Sequence, residues 1–430
     1  MKKQINIIGA GLAGCEAANF LANHGYKVNL YEMRPLKSTG AHHTSLCGEL
    51  VCSNSLKSKA LDNACGLLKK EIEVLGSLIM ESAYKNEVPS GNALSVDRDG
   101  FAKYIDNKIK QNKNITLINE EVKDFKEDEI YIVASGPLTS NCLIQTISNL
   151  TNQENLFFFD ASAPLILKDS IDMNIAYKKS RYEQGDDSYI NCAFNKEEYL
   201  SFYNELINAK LAYIHDFDKN YFEGCMPVEV LAKRGVDTLR FGPLKPRGLE
   251  TEKYPHPYAV VQLRQDNAIG SLYNIVGFQT NLTYSEQKRV FSMIPGLKNA
   301  EFVRYGLMHR NSYINAPALL NIDLSLNTNE NIVFAGQLCG VEGYVESAAS
   351  GLYAAIELYL KLENRSLEFP KNTMLYSLIS YITNKVNKKF SPMNANYGIM
   401  YGVNKKNKIE KGEESLNSIK NFVQNLWRIY

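Results

Sequence analysis

The stretch Ile5-Asn6-Ile7-Ile8-Gly9-Ala10-Gly11-Leu12-Ala13-Gly14 decides the fold. Its apolar start predicts a short strand, and a GxGxxG turn follows before a segment with Ala and Leu at helical spacing. A second predicted strand, 27–31, ends at Glu32. The order of strand, glycine turn, helix, strand and acid is typical of a dinucleotide-binding unit.

Each residue type in this unit has a physical role. Gly9 permits the tight turn, Gly11 lets the backbone approach a pyrophosphate, and Gly14 permits close packing of the helix. The helix N-terminus presents unpaired N–H groups to the pyrophosphate, and Glu32 can accept a hydrogen bond from a ribose hydroxyl. We therefore predict cofactor contacts at Gly9, Ala10, Gly11, Leu12, Ala13, Gly14, Glu32, Met33 and Arg34.

Two later segments favour FAD over a nicotinamide cofactor. Residues 129–137 read as an apolar strand that stops at a small-residue turn. Residues 331–337 form another such strand, and a glycine turn then leads into a small-residue helix that starts near residue 345. A second glycine turn and helix N-terminus, far along the chain, is typical of large flavoproteins that close over FAD. These segments add Gly336, Gln337, Gly340, Gly343 and Tyr344 to the predicted cofactor contacts.

Length and composition limit the classes of protein. The chain has 430 residues, 45% hydrophobic and 22% charged, which predicts a globular protein of two or three domains. No apolar run is long enough for a spanning helix, and the N-terminus lacks a signal-peptide cleavage pattern, so we expect a cytoplasmic protein without a membrane partner. The net charge of +1 excludes binding to nucleic acid through bulk charge alone.

The fold class we predict is α/β, with a Rossmann-type FAD-binding domain of the glutathione reductase type interrupted by an inserted α+β domain. Between the two cofactor segments, aromatic and charged residues interleave, and short strands alternate with short helices. The expected domains are 1–165 (first part of the FAD domain), 166–298 (inserted RNA or substrate domain), and 299–430 (second part, with a Lys-rich C-terminal tail).

The eight cysteines are too few for a disulfide scaffold and form no zinc frame, so we predict no metal site. Cys47 and Cys52 form a CxxxxC motif that resembles the redox dithiol of flavin disulfide reductases, so a flavin dithiol/disulfide oxidoreductase is an alternative function. Those enzymes carry a second GxGxxG domain in mid-chain, and this sequence has none between Pro137 and Asn331. A flavin-containing RNA-binding protein without catalysis is a third alternative.

Cys225 has the surroundings of a reactive thiol. Gly224 and Pro227 flank it on a predicted turn, and Lys233 and Arg234 follow closely. Nearby cations lower the pKa of a thiol and raise the thiolate fraction. The alternative is an inert buried cysteine.

Taken together, the motifs resemble the folate- and FAD-dependent tRNA (uracil-5-)-methyltransferase family. The matching stretches run from residue 5 to about 400 and include 8–14, 31–35, 41–44, 49–56, 76–80, 221–227, 239–243, 258–267, 302–306, 308–311 and 340–348. The resemblance implies an FAD domain with an insert, and transfer of a one-carbon unit from methylenetetrahydrofolate to C5 of a uracil in RNA, with NADH or NADPH as the reductant.

The resemblance also implies roles for the two thiols. Cys225 would add to C6 of the uracil, which makes C5 enolate-like, and Cys52 would take part in methylene handling or removal of the C5 proton. Reduced flavin would then supply a hydride to complete the methyl group. For substrate contacts we name the cationic residues Arg264, His309, Arg310, Lys233, Arg234 and Arg240.

Two RNA targets are considered for this reaction. The uridine at position 54 of the tRNA T-loop is the predicted target, and a 23S ribosomal RNA uridine is the alternative, because Cys47-Gly48, Cys339 and Arg247 depart from the family's usual residues. A local basic face can hold phosphates on a nearly neutral chain. The insert supplies such residues: Lys178, Lys179, Arg181, Lys233, Arg234, Arg240, Lys245 and Arg247.

Overall fold

The structure, a computed structural model, describes residues 2–153, 156–183, 187–212, 226–386 and 390–427, with the backbone alone at 156–161, 183, 309 and 310. The strands are β1 (Ile5–Ile8), β2 (Val28–Glu32), β3 (Ser55–Ser58), β4 (Glu87–Val88), β5 (Ala93–Val96), β6 (Ile115–Asn119), β7 (Ile130–Val133), β8 (Leu156–Ala161), β9 (Leu165–Leu167), β10 (Tyr177–Lys178), β11 (Ile190–Phe194), β12 (Ala259–Gln265), β13 (Leu272–Ile275), β14 (Phe302–Arg304), β15 (Met308–Tyr313), β16 (Ser325–Leu326) and β17 (Asn329–Phe334).

The α-helices of the described residues alternate with these strands. They are α1 (Leu12–Asn23), α2 (Ala64–Val74), α3 (Leu78–Lys85), α4 (Arg98–Gln111), α5 (Asn141–Thr151), α6 (Lys196–Asn208), α7 (Val228–Ala232), α8 (Thr238–Phe241), α9 (Tyr284–Phe291), α10 (Ala316–Leu319), α11 (Tyr344–Leu362), α12 (Met374–Ile382) and α13 (Lys408–Leu426).

The principal sheet has the order β16-β17-β7-β1-β2-β6 and is parallel except for β16. Its central strand β1 is buried along its whole length, as expected for a parallel strand with helices on both faces of the sheet. The predicted dinucleotide-binding unit is confirmed as β1, α1 and β2, and the predicted late strand is β17. Because β17 pairs with β7, residues separated by about two hundred positions complete one sheet.

A second sheet has the order β10-β11-β12-β13-β9-β14, with antiparallel pairing throughout; most of it lies in the predicted insert, but β14 follows residue 298. It has its own hydrophobic core with α6 and α9, which includes Phe202 and Phe291. Its first and last strands, β9 and β14, are neighbours, so the chain enters and leaves this sheet at one edge. Strands β8 and β15 carry the chain out and back, and they pair with each other.

Two glycines set how closely the helices pack at the centre of the FAD half. A Cβ at Gly14 would lie 1.8 Å from the carbonyl oxygen of Gly9, and a Cβ at Gly351 would lie 2.2 Å from the carbonyl oxygen of Ala13. Any side chain at either position would separate α1 from the β1 turn or from α11. The N-terminal ends of α1 and α11 therefore lie near each other at the same edge of the parallel sheet.

The C-terminal segment is anchored to the FAD half. Tyr397 and Met400 are buried in its core, although Lys405 and Lys406 are exposed. Helix α13 packs on α2, and Glu71 of α2 accepts hydrogen bonds from the backbone N–H groups of Met374 and Leu375. The buried carboxylate thus accepts hydrogen bonds from N–H groups at the N-terminus of α12, which have no partner within the helix.

The helices also bear on membrane insertion. Within the described part of the chain, no helix is both long enough and apolar enough to cross a bilayer.

Candidate functional site

A long crevice lies at the carboxyl ends of β1, β2 and β7, where doubly wound sheets bind their ligands. It contains about 980 Å³ of empty space, part of it open to solvent. We call it the nucleotide crevice. Its lining includes Gly9, Gly11, Leu12, Ala13, Glu32, Met33, Arg34, Gly336, Gln337 and Tyr344, all of them predicted cofactor contacts.

The geometry of the glycine turn fits a pyrophosphate. Gly9 has φ of +100°, and a Cβ there would lie 2.6 Å from the carbonyl oxygen of Ala134, so this position requires glycine. At Gly11 nothing lies within 4 Å of the position a Cβ would take. That open space adjoins the N-terminus of α1, and there the backbone N–H groups can hold an anion. The residues present therefore fit the diphosphate of FAD.

Glu32 ends β2 as part of a buried charge network. Its carboxylate accepts hydrogen bonds from the Ala10 N–H at 3.1 Å and from the guanidinium of Arg34 at 2.9 Å. Arg34 also donates to Glu49 at 2.9 Å, so one buried cation lies between two carboxylates. Burial opposes ionisation of Glu32, but the hydrogen bonds and charge of Arg34 outweigh it and lower the pKa of Glu32. The carboxylate is thereby held ionised and ready to accept from a ribose hydroxyl.

The remaining predicted cofactor residues lie close to the nucleotide crevice but do not line it. Ala10 belongs to the glycine turn and Gly14 to the first turn of α1, and neither lines the crevice. Gly340 adopts φ of +88°, and a Cβ there would lie 2.3 Å from the ring of Phe390. Gly343 lines the adjoining cavity.

That adjoining cavity contains about 1120 Å³ of empty space and is also partly open. We call it the Cys52 cavity. Its lining includes Cys52, Ser53, Lys57, Arg264, Gln279, Asn311, Glu342, Gly343, Glu346 and Asn394. Val51, Pro137, Leu138, Gln337 and Tyr344 line both spaces, so a cofactor in the crevice can reach a substrate in the cavity.

The backbone of Cys52 is fixed by hydrogen bonds from distant parts of the chain. Its N–H donates to the hydroxyl of Tyr344 at 2.7 Å. Its carbonyl accepts from Arg98 at 2.8 Å and from Arg304 at 3.4 Å. Arg98 also donates to the carbonyl of Leu50 at 2.7 Å, so both ends of this short loop are held by one guanidinium. Cys52 thus lines the cavity on a fixed backbone, next to Val51, which lines both spaces.

The insert contributes directly to this arrangement. Asp266 pairs with Arg98 at 2.8 Å, and the side-chain amide of Asn54 donates to the carbonyl of Gln265 at 3.0 Å. Arg264, a predicted substrate contact, donates to Ser53 at 2.7 Å and to Asn54 at 3.2 Å. Arg264 therefore lines the cavity while it also positions the loop that carries Cys52.

Cys47 does not share the surroundings of Cys52. It is buried, its N–H donates to Asp106, and neither the nucleotide crevice nor the Cys52 cavity includes it in its lining. The next residue, Gly48, donates its N–H to the carbonyl of Ala10, which also accepts from the thiol of Cys15. Cys47 is thus packed behind the glycine turn, which argues against a dithiol of Cys47 and Cys52 that meets a substrate.

Cys225 lies outside the described residues. The described chain resumes at Met226, and the N–H of Val228 donates to the carbonyl of Gln279 at 2.7 Å. Glu229 is buried and accepts from Thr280 and from the N–H of Asn281, both at 2.8 Å. The residues that follow Cys225 are therefore tied to the segment in which Gln279 lines the Cys52 cavity.

The other predicted substrate contacts have different positions. The guanidinium of Arg240 is engaged by Asp237, by the carbonyl of Tyr258 and by the Tyr258 ring at 3.6 Å, which favours a structural role. Lys233 and Arg234 are exposed beyond α7. For His309 and Arg310 the structure gives only the backbone, within β15, and their side chains lie outside the described part.

Several residues of the site have no signal in a single sequence. Lys57, Gln279 and Arg98 are isolated polar residues outside motifs: the fold brings the first two to the cavity lining and the third to the Cys52 loop, whereas Arg304 and Asn311 lie within the quoted stretches 302–306 and 308–311. Glu346 lies within the quoted stretch 340–348, where a charged residue in a small-residue helix could have drawn attention. Among the described residues, no group of three or more His, Cys, Asp or Glu side chains could hold a metal ion.

The parallel sheet, glycine turn and crevice define an FAD-binding flavoprotein of the Rossmann type. Residues 4–366 match the family described as glucose inhibited division protein A. A protein of Acetivibrio thermocellus named methylenetetrahydrofolate--tRNA-(uracil-5-)-methyltransferase TrmFO is 55% identical over 399 residues, which are 92% of each chain. A protein of the same name from Fusobacterium nucleatum is 52% identical over 99% of this chain and all of its own.

The chain belongs to the glucose inhibited division protein A family and, within it, to the group formed by these methyltransferases. The resemblance inferred from the motifs is thereby confirmed. Two crystal forms of Aquifex aeolicus GidA have the same fold, with TM-scores of 0.73 and 0.70 at 15% and 16% identity. Both matches cover 99% of this chain, and they cover 74% and 79% of the other chain. The predicted fold class is also confirmed.

Substitution of the turn glycines should separate cofactor binding from folding. Gly11→Ala places a methyl group in open space within the crevice, so the protein should fold but lose FAD affinity by at least about tenfold, or 1.4 kcal/mol. Gly14→Ala collides with the Gly9 carbonyl and should lower both stability and FAD content. Flavin absorbance and thermal unfolding of the apoproteins measure both effects. A Gly11→Ala protein that purifies with a full complement of FAD would contradict this account of the crevice.

Proposed function

We propose that this chain is a folate- and FAD-dependent methyltransferase that acts on C5 of a uracil in tRNA. The observation that carries the proposal is the fixed loop of Cys52, in which Val51 lines both the nucleotide crevice and the Cys52 cavity. The names of relatives at 52–55% identity specify methylenetetrahydrofolate and tRNA, and this supports tRNA over ribosomal RNA. The buried position of Cys47 counts against the dithiol oxidoreductase.

The crevice residues would hold the cofactor. The N-terminus of α1 would bind the diphosphate, Glu32 the ribose, and the turn before α11 would approach the redox-active ring. FAD, reduced by NADH or NADPH, supplies a hydride when bound. Tyr344 lines both spaces, and its hydroxyl accepts a hydrogen bond from the N–H of Cys52.

The protein's own residues would perform the covalent steps. The Cys225 thiolate adds to C6 of the uracil, and the electron pair of the C5–C6 double bond moves to C5. C5 then bonds the methylene carbon of the folate as the bond from that carbon to one folate nitrogen breaks, and Cys52 removes the proton from C5. The electron pair left at C5 expels the second folate nitrogen, which forms an exocyclic methylene. Addition of a hydride to this methylene makes the methyl group, and the resulting enolate expels the Cys225 thiolate from C6 and restores the C5–C6 double bond. One hydride and one proton are consumed for each methyl group formed.

The insert would bind the RNA. Lys233, Arg234, Lys245 and Arg247 are exposed, and the Phe241 side chain is 82% exposed beside them in sequence. The backbone carbonyls of Lys245 and Arg247 accept from Arg181, which orders this loop. Exposed cations with an exposed aromatic ring are typical of surfaces that bind phosphates and stack an unpaired base. We assign the RNA surface to this part of residues 166–298 and expect the reaction in the cytoplasm, where tRNA is found.

The direct test is transfer of label. The purified flavoprotein is incubated with labelled methylenetetrahydrofolate, with NADH or NADPH, and with unmodified tRNA or 23S ribosomal RNA transcripts in parallel. We expect label in tRNA, and none in a matched transcript whose T-loop uridine is replaced by cytidine. Label in ribosomal RNA alone would overturn the tRNA assignment, and label in neither RNA would overturn methyl transfer.

A mechanism-based adduct tests the role of Cys225. Wild-type protein should form a covalent complex with tRNA that contains 5-fluorouracil, because fluorine at C5 prevents release of the C6 thioether. Cys225→Ala should abolish the complex on denaturing gels. Cys142→Ala, a change at an exposed cysteine of α5, is the matched control and should retain it. An undiminished complex with Cys225→Ala would assign the nucleophile to another residue.

Salt dependence tests the RNA surface. The double variant Lys245→Ala/Arg247→Ala should weaken tRNA binding and flatten the plot of log Kd against log salt by about 0.7–0.9 for each phosphate that the protein no longer neutralises. FAD content should not change, because both side chains are exposed. The comparison is Lys405→Ala/Lys406→Ala, which removes two exposed lysines of the C-terminal segment. A flatter slope in that variant alone would place the RNA surface on the C-terminal segment.

A further inference from the structure

Glu346, at the N-terminal end of α11, has an incomplete set of hydrogen bonds. Its side chain is fully buried, and its Oε1 accepts from Lys57 at 3.2 Å and from the N–H of Ala395 at 3.1 Å. Its Oε2 has no hydrogen-bond partner among the residues that the structure describes. Glu346 lines the Cys52 cavity. A buried carboxylate oxygen without a donor is costly, so a donor supplied from the cavity would be favourable.

The residue beside this oxygen, Gly343, has no side chain. A Cβ at Gly343 would lie 2.2 Å from Oε2 of Glu346 and 3.0 Å from Nζ of Lys57. Gly343 itself lines the cavity and has φ of +121°, where a side chain is strained. Glycine at this position therefore leaves the cavity lining beside both charged atoms without a side chain.

Lys57 is held in an unusual conformation. It has φ of +65°, in the left-handed region, at an irregularity of strand β3. Such a conformation costs energy in a residue other than glycine and persists where the surroundings require it. Burial disfavours the charge of Lys57, but Glu346 outweighs this and raises the pKa of the ammonium group. At neutral pH a cationic donor thus lies beside a bare acceptor.

We propose that Lys57 and Glu346 together bind a lactam edge, the adjacent N–H and carbonyl of a planar heterocycle. Oε2 of Glu346 accepts from the ring N–H, and Nζ of Lys57 donates to the neighbouring carbonyl oxygen. This inference rests on the proposed function, under which two heterocycles in the reaction carry such an edge: the uracil of the RNA and the 2-amino-4-oxopteridine of the folate. No covalent bond changes at this pair, so both residues are substrate-positioning groups.

The pair differs from an ordinary structural ion pair in one respect. The Lys57 side chain is 47% exposed, whereas that of Glu346 is fully buried. After loss of the carboxylate charge, the partly exposed Lys57 side chain can turn its ammonium group toward solvent, so the change should not strand a charge in the core. The Glu346→Gln protein should therefore fold. Its side-chain NH2 group replaces Oε2 and donates a hydrogen bond, so it cannot accept one from the ring N–H of the substrate.

The test compares Glu346→Gln with wild type in steady-state methyl transfer. If the pteridine is bound, the KM for methylenetetrahydrofolate and the Kd for tetrahydrofolate should rise by at least about tenfold, with the KM for tRNA unchanged. If the uracil is bound, the KM for tRNA should rise by a similar factor and the Kd for tetrahydrofolate should stay constant. Lys57→Met should raise the same parameter as Glu346→Gln, and it provides a second variant should the first lose its fold.

The matched control is Glu357→Gln, the same change on the same helix, where the carboxyl is largely buried near Asp323 but lines neither the crevice nor the cavity. It should leave both KM values as in wild type. Values of both KM within twofold of wild type in Glu346→Gln and in Lys57→Met would overturn the assignment, as would a fall in kcat alone. Absence of methyl transfer by the wild-type protein would instead refute the proposed function.

Discussion

The hydrogen bonds to the backbone of Cys52 are the constraint on which the site depends. Arg98 from α4, Arg304 from β14 and Tyr344 from α11 all contact this one residue. Arg98 is at the same time paired with Asp266 of the insert. Because these partners come from both halves of the FAD domain and from the insert, the thiol can take its place only when the whole chain has folded. A backbone fixed in this way limits the positions that the Cys52 side chain can take.

The close approach of α1 and α11 is the second constraint on the site. Gly14 and Gly351 permit backbone contacts that any side chain would prevent. The N-terminus of α1 lines the nucleotide crevice, and the N-terminus of α11 lines the adjoining Cys52 cavity. At the second helix, Tyr344 and Glu346 are separated by one residue, and the first holds Cys52 while the second lines the cavity. Cofactor geometry and substrate geometry are thus set by the same few residues.

The parts of this account that sequence could predict are those encoded locally. Strand β1, the Gly9–Gly14 turn, helix α1 and Glu32 follow one another within thirty residues, so periodicity and glycine spacing reveal them. The positions of Arg98 and Lys57 in the site could not be predicted from the sequence. An isolated charged residue is normally expected on the surface, and only the fold shows that it is buried or has an unusual backbone conformation. The same limit applies to Arg240. Sequence predicts a substrate contact there, whereas in the structure its guanidinium pairs with Asp237 and lies over the ring of Tyr258. Cys47 and Cys52 are close in sequence yet have different surroundings, since the loop between them turns away from the glycine turn.

The central claim is substitution at C5 of a tRNA uracil, and release of the C5 hydrogen measures it most directly. A tRNA transcript prepared with [5-³H]uridine is incubated with the flavoprotein, methylenetetrahydrofolate and NADH or NADPH, and tritium in water is counted. The account predicts release of one tritium per tRNA, dependent on both the folate and the reductant. Oxidation of the reductant with no release of tritium from tRNA would contradict it.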